Sequence, residues 1–405
     1  MSRPLRPLLK IAFHIGCAAA LVRLAACVAA PTAESKPAGA VPRPTNPCRL
    51  ILPEQIPVAV GREANIYFDN VVLVANWRNY VFNVDCAKGT QQEERWTFVP
   101  QAGDAGEYPL TLEVFDGENR LLASEKTTIR VVPADAGAGR EVTLLIIGDS
   151  LTHASVYPEE MLNLCKAPGN PHLTLLGTHH LDGTSPENRH EGYGGWTFER
   201  FVAHYDKAGP EAHQGRGSPF VFMEDGKPTF DFRRYVQEQC GGKTPDFVSI
   251  ALGCNDTFGA TEQNLEATVD RVLGYADKLV AGIRAAGPGT RIGLVTLVPP
   301  AASQDAFGAN YQCTQTRWQY RRNQHRVVER MKERCGGREG EGLYLIPAYV
   351  DLDTVHNYPA QEGPANARAT ARVTRQANGV HPAAEGYRQM ADVIYSWMKA
   401  VLAAR

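Results

Sequence analysis

The chain has 405 residues, 43% of them hydrophobic and 21% charged, which fits a folded globular protein and excludes a disordered one. Its 42 basic and 44 acidic side chains leave a formal net charge of −2, so no basic field exists to hold a phosphate backbone, and nonspecific nucleic-acid binding is excluded. The length exceeds what one core ordinarily fills and predicts two domains, and the only long apolar stretch lies at the extreme N-terminus, which excludes a multi-pass membrane protein.

Residues 1–30 read as an export signal. Arg3, Arg6 and Lys10 form a basic head before the mostly apolar run Ile11 to Val22, which is too short to span a bilayer. Leu24-Ala25-Ala26-Cys27 resembles a bacterial lipobox, in which the cysteine becomes the lipidated first residue, although Arg23 stands directly before it. Ordinary cleavage near Val28-Ala29-Ala30 is the alternative. The expectation is an exported protein, periplasmic, extracellular or an outer-surface lipoprotein, with no membrane contact beyond a lipid anchor at Cys27.

Residues 31–47, rich in Pro and Ala, form a linker. Residues 48–133 read as a small all-β sandwich. Asn65 to Phe68, Tyr80 to Val84, Arg95 to Val99, Tyr108 to Val114 and Leu121 to Val132 are strand-like runs. Asp104-Ala105-Gly106-Glu107-Tyr108 resembles the D-x-G-x-Y corner of immunoglobulin-like domains, where the tyrosine hydroxyl bonds back to the preceding turn. No catalytic cluster lies here. The domain is a spacer or docking module, or it binds carbohydrate through Trp77, Tyr80 or Trp96. Seven cysteines follow the signal, and an exported chain should pair some of them. Cys48 with Cys86 is the first candidate pair and Cys313 with Cys335 the second.

Residues 134–140 form a short joint to a second domain, 141–405. Glu141 to Ile147, Asp246 to Leu252, Arg291 to Val298 and Leu343 to Val350 are continuous apolar runs, as in strands buried on both faces. Helical patterns separate them: Leu265 to Ile283, stopped by Gly287-Pro288-Gly289; a basic amphipathic helix from Trp318 to Met331, read as a solvated face; and a last helix from about Ala384 to Leu402. Strand–helix alternation predicts an α/β parallel sheet with helices on both faces and ligands at the carboxyl ends of its strands.

Four segments at such ends could do chemistry. Gly148-Asp149-Ser150-Leu151 places a serine at a helix start, where free N–H groups favour an anion; an N-cap serine is the plainer reading. Gly192-Tyr193-Gly194-Gly195-Trp196-Thr197 is a turn whose backbone can approach a ligand closely. Gly253-Cys254-Asn255-Asp256 offers a side-chain amide donor. Asn378-Gly379-Val380-His381-Pro382 offers a base before the last helix.

In this order the four segments resemble the SGNH (GDSL-type) hydrolase superfamily, over residues 141–405. The resemblance implies a three-layer α/β/α flavodoxin-like fold and ester hydrolysis through an acyl-serine, with no metal and no cofactor. Carried over position by position, it implies Ser150 as nucleophile and first oxyanion donor through its backbone N–H. Gly195 becomes the second donor through its N–H, Asn255 the third through its amide, and His381 the general base and acid. One position departs: the family usually has Asp three residues before the histidine, and here Asn378 stands there. Three readings stay open. The site is a Ser–His dyad with His381 oriented by Asn378 or a backbone carbonyl; Asp351 or Asp353 supplies the carboxylate; or the enzyme is weak or inactive.

His172, His179, His180 and His190 cluster in sequence without a metal-binding spacing such as H-E-x-x-H, so they are read as loop residues lining a pocket. Glu191, Tyr193, Trp196 and Tyr311 are expected along a substrate groove. The insertion Ala203 to Phe232 is long enough to form a rim or lid. The expected function is a serine esterase, an O-acetylesterase acting on acylated carbohydrate or a related ester. The alternatives are a lipase or lysophospholipase, and a surface carbohydrate-binding protein with weak activity.

Overall fold

A computed structural model describes residues 48–206 and 217–404. The expected export signal, Cys27 and the 31–47 linker lie outside the described residues, as does the middle of the 203–232 insertion. No helix among the described residues is long and apolar enough to cross a membrane.

The first part is all-β. Its strands are β1 (Gln55–Ala59), β2 (Ala64–Tyr67), β3 (Val81–Cys86), β4 (Thr90–Gln91), β5 (Arg95–Phe98), β6 (Gly106–Phe115) and β7 (Leu121–Val132). They form two sheets, β1-β7-β6-β3 and β2-β5-β4. Alternation along β6 buries Leu110, Leu112 and Val114 against Ile66, Phe68, Trp96 and Ile129, the period-2 pattern of a strand with one solvated face. The Tyr108 hydroxyl donates to the Asp104 carbonyl at 2.9 Å, the bond that the D-x-G-x-Y segment predicts.

The second part begins with β8 (Glu141–Gly148), β9 (His172–Leu176) and β10 (Glu191–Gly192). A surface hairpin, β11 (Val221–Glu224) and β12 (Lys227–Phe230), precedes β13 (Phe247–Ala251), β14 (Arg291–Val295) and β15 (Leu343–Ile346). The sheet order is β10-β8-β13-β14-β15, with β9 also on β8, and every pairing is parallel. Successive residues of β8 face opposite layers. Leu145 and Ile147 pack with the helices Leu265–Ala286 and Arg317–Cys335. Leu144 and Ile146 pack with Val156–Lys166 and Ala384–Ala403. This is the expected α/β/α arrangement, and it aims the carboxyl ends of β8, β10 and β13 at one rim. The strands β9 and β10 are additional to the four that the apolar runs predict: β9 alternates His172 and Thr174 with leucines, and β10 is two residues long.

Three expectations are corrected. The pairs Cys48–Cys86 and Cys313–Cys335 are not formed. Cys86, Cys313 and Cys335 carry free thiols; the Cys48 thiol hydrogen-bonds Tyr80 instead, and Cys335 is buried while Cys313 is exposed. The Arg317–Cys335 helix is not a solvated face, because Arg321, Asn323, Gln324 and His325 are buried. Arg321 points into the all-β part and donates to the carbonyls of Val74 (3.0 Å), Val72 (2.7 Å) and Asp69, and it also pairs with the Asp69 carboxylate at 2.9 Å. Finally, Asp351 is no candidate partner for a catalytic histidine. Its buried carboxylate accepts the Asn65 backbone N–H at 2.6 Å.

Candidate active site

β8 ends at Gly148, where a Cβ would fall 1.8 Å from Thr152 Oγ1; only glycine lets the next turn fold this tightly against the strand. Asp149 caps the short helix Ser150–His153, its carboxylate accepting Leu151 N–H at 3.0 Å. Ser150 is thus the first helical residue, and its hydroxyl stands 2.8 Å from His381 Nε2 across 231 positions of sequence. No other protein group bonds to the His381 ring among the described residues.

His381 is presented by the loop before Ala384–Ala403. Asn378 shapes that loop, because its Oδ1 accepts the N–H groups of Val380 (3.0 Å) and His381 (2.9 Å). Asn378 therefore orients the backbone that carries the imidazole and does not bond the ring. Asp353 does not reach the ring either; its carboxylate accepts N–H groups of Val355 and His356 and bonds the His356 ring. Both carboxylate alternatives fail on geometry. Burial alone holds the His381 pKa below that of ordinary imidazole, which keeps the ring neutral and able to accept the serine proton.

Gly195 lies in the turn after β10 with φ +75 and nothing within 4 Å of a Cβ position. The glycine is required by its backbone angle, and its surroundings are open. Asn255, in the turn after β13, donates from Nδ2 to Trp196 O (3.0 Å) and to Asp149 Oδ2 (3.3 Å). It ties the residue before the serine to the residue after Gly195, with both amide hydrogens engaged. Asp149 also accepts Cys254 Sγ–H at 2.8 Å. Burial nonetheless pushes its pKa up to about 6, and burial, with Asp149 nearby, pushes that of Asp256 to about 7. Asp256 accepts Phe198 N–H at 3.1 Å, anchoring the chain that leaves the glycine turn. Sequence reading missed the roles of Asp149, Cys254 and Asp256, although they sit inside the quoted segments.

Three of the four expected groove residues are core, and Tyr311 is half-buried. Glu191, Tyr193 and Trp196 are buried, and the Glu191 carboxylate accepts from Thr178, Tyr193 and Tyr235. Tyr311 packs edge-on to Phe258. Among the histidines, His179 contacts His190 and also His153, which the sequence reading omitted. No group of three His, Cys, Asp or Glu among the described residues is arranged to hold a metal ion. In the all-β part, Trp77 and Tyr80 line an open groove of about 410 Å³ with Arg78, Gln91, Gln92 and Glu93, whereas Trp96 is buried.

A family model described as GDSL-like Lipase/Acylhydrolase matches residues 144–394. Among solved structures, a Clostridium thermocellum family 3 carbohydrate esterase aligns at 16% identity over 65% of this chain and 98% of its own, with a TM-score of 0.38. A carbohydrate acetylesterase family member from Sinorhizobium meliloti aligns at 15% identity over 65% of this chain and 100% of its own, also with a TM-score of 0.38. An acetyl xylan esterase aligns at 14% identity over 63% and 99%, with a TM-score of 0.33. No curated protein matches.

Proposed function

The chain belongs to the GDSL-like lipase/acylhydrolase family and is a carboxylic ester hydrolase; from that premise we propose that Ser150 and His381 act as a catalytic dyad on acetyl esters of a carbohydrate. The observation that carries the dyad is the 2.8 Å contact between Ser150 Oγ and His381 Nε2. Ser150 attacks the acyl carbon as its proton passes to Nε2. The tetrahedral oxyanion is met by the N–H groups of Ser150 and Gly195 and by the Asn255 amide, which exchanges its longer bond to Asp149 for the new oxygen. His381 then protonates the departing alcohol. Water repeats the sequence in reverse and releases the acid and free serine. Asn378 takes part only by fixing the loop.

The carbohydrate half rests on separate support. The groove beside Trp77 and Tyr80 sets aromatic rings next to amide and carboxylate side chains, a surface that suits the C–H face and hydroxyls of a sugar ring. The basic head and short apolar run at the N-terminus support export, to the periplasm, the medium or an outer surface, where polymeric glycans are met. Hydrolysis of p-nitrophenyl acetate against octanoate, with acetylated xylan alongside, tests the reading in wild type and Ser150→Ala. Ser150-dependent release of acetate from both acetyl substrates supports it. A strong preference for octanoate would replace it with a lipase-type reading, and no Ser150-dependent turnover with a glycan-binding one.

A further inference from the structure

We propose that His190 is a positioning residue for the oxyanion hole: its ring braces the end of the nucleophile helix against the strand that carries the glycine turn. The proposal rests on the esterase reading above.

The hydrogen positions around the ring follow from chemistry alone. The Gly192 backbone nitrogen can only donate, and it lies 3.1 Å from His190 Nδ1, so Nδ1 is the bare acceptor. The single ring proton is therefore on Nε2, which lies 2.9 Å from Ser155 Oγ. Ser155 sends its own hydroxyl hydrogen to the His153 carbonyl at 3.1 Å. Every hydrogen in the relay has one acceptor, and only the neutral Nε2–H form satisfies all three bonds. An imidazolium or the other tautomer would set N–H against the Gly192 N–H. Burial, reinforced by the neighbouring histidines, holds the pKa down to about 3, in keeping with that geometry.

The two ends of this relay matter for the reaction. Ser155 lies two residues beyond Ser150–His153, in the left-handed region at φ 60, a costly conformation for a residue with a side chain. Its carbonyl is held from the same loop by Asn188 Nδ2 at 2.9 Å. Gly192 lies three residues before Gly195 and packs directly on the nucleophile helix, where a Cβ would meet Thr152 Cγ2 at 2.5 Å and His153 N at 2.9 Å. The helix supplies the Ser150 N–H and the glycine turn supplies the Gly195 N–H. On one side Asn255 ties these segments through Asp149 and Trp196. On the other side the His190 ring ties them through Ser155 and Gly192. Two donors on separate segments act on one oxyanion only if their spacing is fixed before the reaction.

The test compares wild type with His190→Leu, His190→Asn and Ser155→Ala. The readouts are kcat and KM on p-nitrophenyl acetate, and the rate and stoichiometry of Ser150 labelling by a fluorophosphonate. Stoichiometry counts competent sites, so loss of folded protein is separated from loss of rate per site. For His190→Leu the expected result is a fall in per-site kcat of roughly 10–100-fold with KM unchanged, and slower labelling in proportion. His190→Asn, whose oxygen can still accept the Gly192 N–H, should recover part of the loss. Ser155→Ala cuts the relay from its other end in a smaller side chain and keeps the test alive if His190→Leu fails to fold. The double variant should be less impaired than the product of the two singles. Wild-type per-site kcat and labelling rate in Ser155→Ala and in any folded His190 variant would overturn the proposal. Failure of the esterase reading is distinct, since wild type itself would then not label at Ser150.

Discussion

Asn378 and His381 are joined through the His381 backbone and not through its ring: the Asn378 Oδ1 accepts the His381 N–H at 2.9 Å, while among the described residues the imidazole hydrogen-bonds only Ser150. An asparagine can hold this turn as well as an aspartate, since both offer an oxygen to two amides. What it withholds is a negative charge beside the ring. Asn378→Asp should raise kcat on p-nitrophenyl acetate by stabilising the imidazolium of the transition state. It should also move the acid limb of the pH–rate profile. In wild type, activity should be present while His381 is neutral and be lost as pH falls through a pKa depressed by burial. A carboxylate nearby raises that pKa, so the acid limb shifts to higher pH. An unchanged kcat with an unchanged limb would mean that the new carboxylate stays on the backbone.

Asn255 has both amide hydrogens engaged at rest, so the oxyanion role proposed for it would show only on the way to the transition state. Asn255→Ala should lower kcat about 10²–10³-fold with little change in KM. Steady-state kinetics on p-nitrophenyl acetate would check it; a rise in KM at constant kcat would show ground-state binding instead.

The buried acids give stability a definite pH dependence. Asp149 and Asp256 have folded pKa values of about 6 and about 7, above the roughly 3.9 of an unfolded Asp. The folded state therefore binds protons more tightly, and their contribution is fully present below the unfolded value and lost as pH rises through about 6 to 7. Asp256→Asn removes one such group. Its Tm relative to wild type should rise between pH 5 and pH 8, measured by thermal melts across that range. A constant difference would mean that Asp256 is ionised throughout.

Arg321 is buried where it bonds three carbonyls and the Asp69 carboxylate. Arg321→Ala strands the three carbonyls, while Asp69 keeps its pairing with Arg317 at 2.7 Å, so the loss comes from the unpaired carbonyls and should be about 3 kcal/mol. Denaturant unfolding would measure it. A loss under 1 kcal/mol would mean that water replaces the guanidinium.

Trp77→Ala should leave turnover of p-nitrophenyl acetate unchanged and reduce acetate release from insoluble acetylated xylan roughly tenfold, through weaker retention on the polymer. Equal losses on both substrates would argue against a glycan-binding groove.

The parallel sheet was legible because strands buried on both faces leave mostly apolar runs, as in Leu144 to Ile147 and in Phe247 to Ala251, where Ser249 is the one polar residue. The site was legible because Gly148, Gly195 and Asn255 sit in short segments whose spacing is tied to the turns they make. Direction was not. Glu191, Tyr193 and Trp196 flank the glycine turn in sequence, yet their side chains enter the core, and adjacency carries no information about which face a residue takes. The same ambiguity hid the buried face of the Arg317–Cys335 helix, since polar residues suit a partner's carbonyls as well as water. His153 was overlooked because its ring contact is with His179, 26 positions away.

The all-β part and the hydrolase share hydrogen bonds that neither can make alone. Asp351 accepts Asn65 N–H at 2.6 Å, Ser396 accepts Ala59 N–H at 3.1 Å, and Asn70 donates to Leu352 O at 2.8 Å. A recombination event within residues 134–140 would take these polar groups from their partners and open the apolar surface around them to water. A swap at that joint is therefore expected to need matching changes on both facing surfaces before the new chain folds as well as this one.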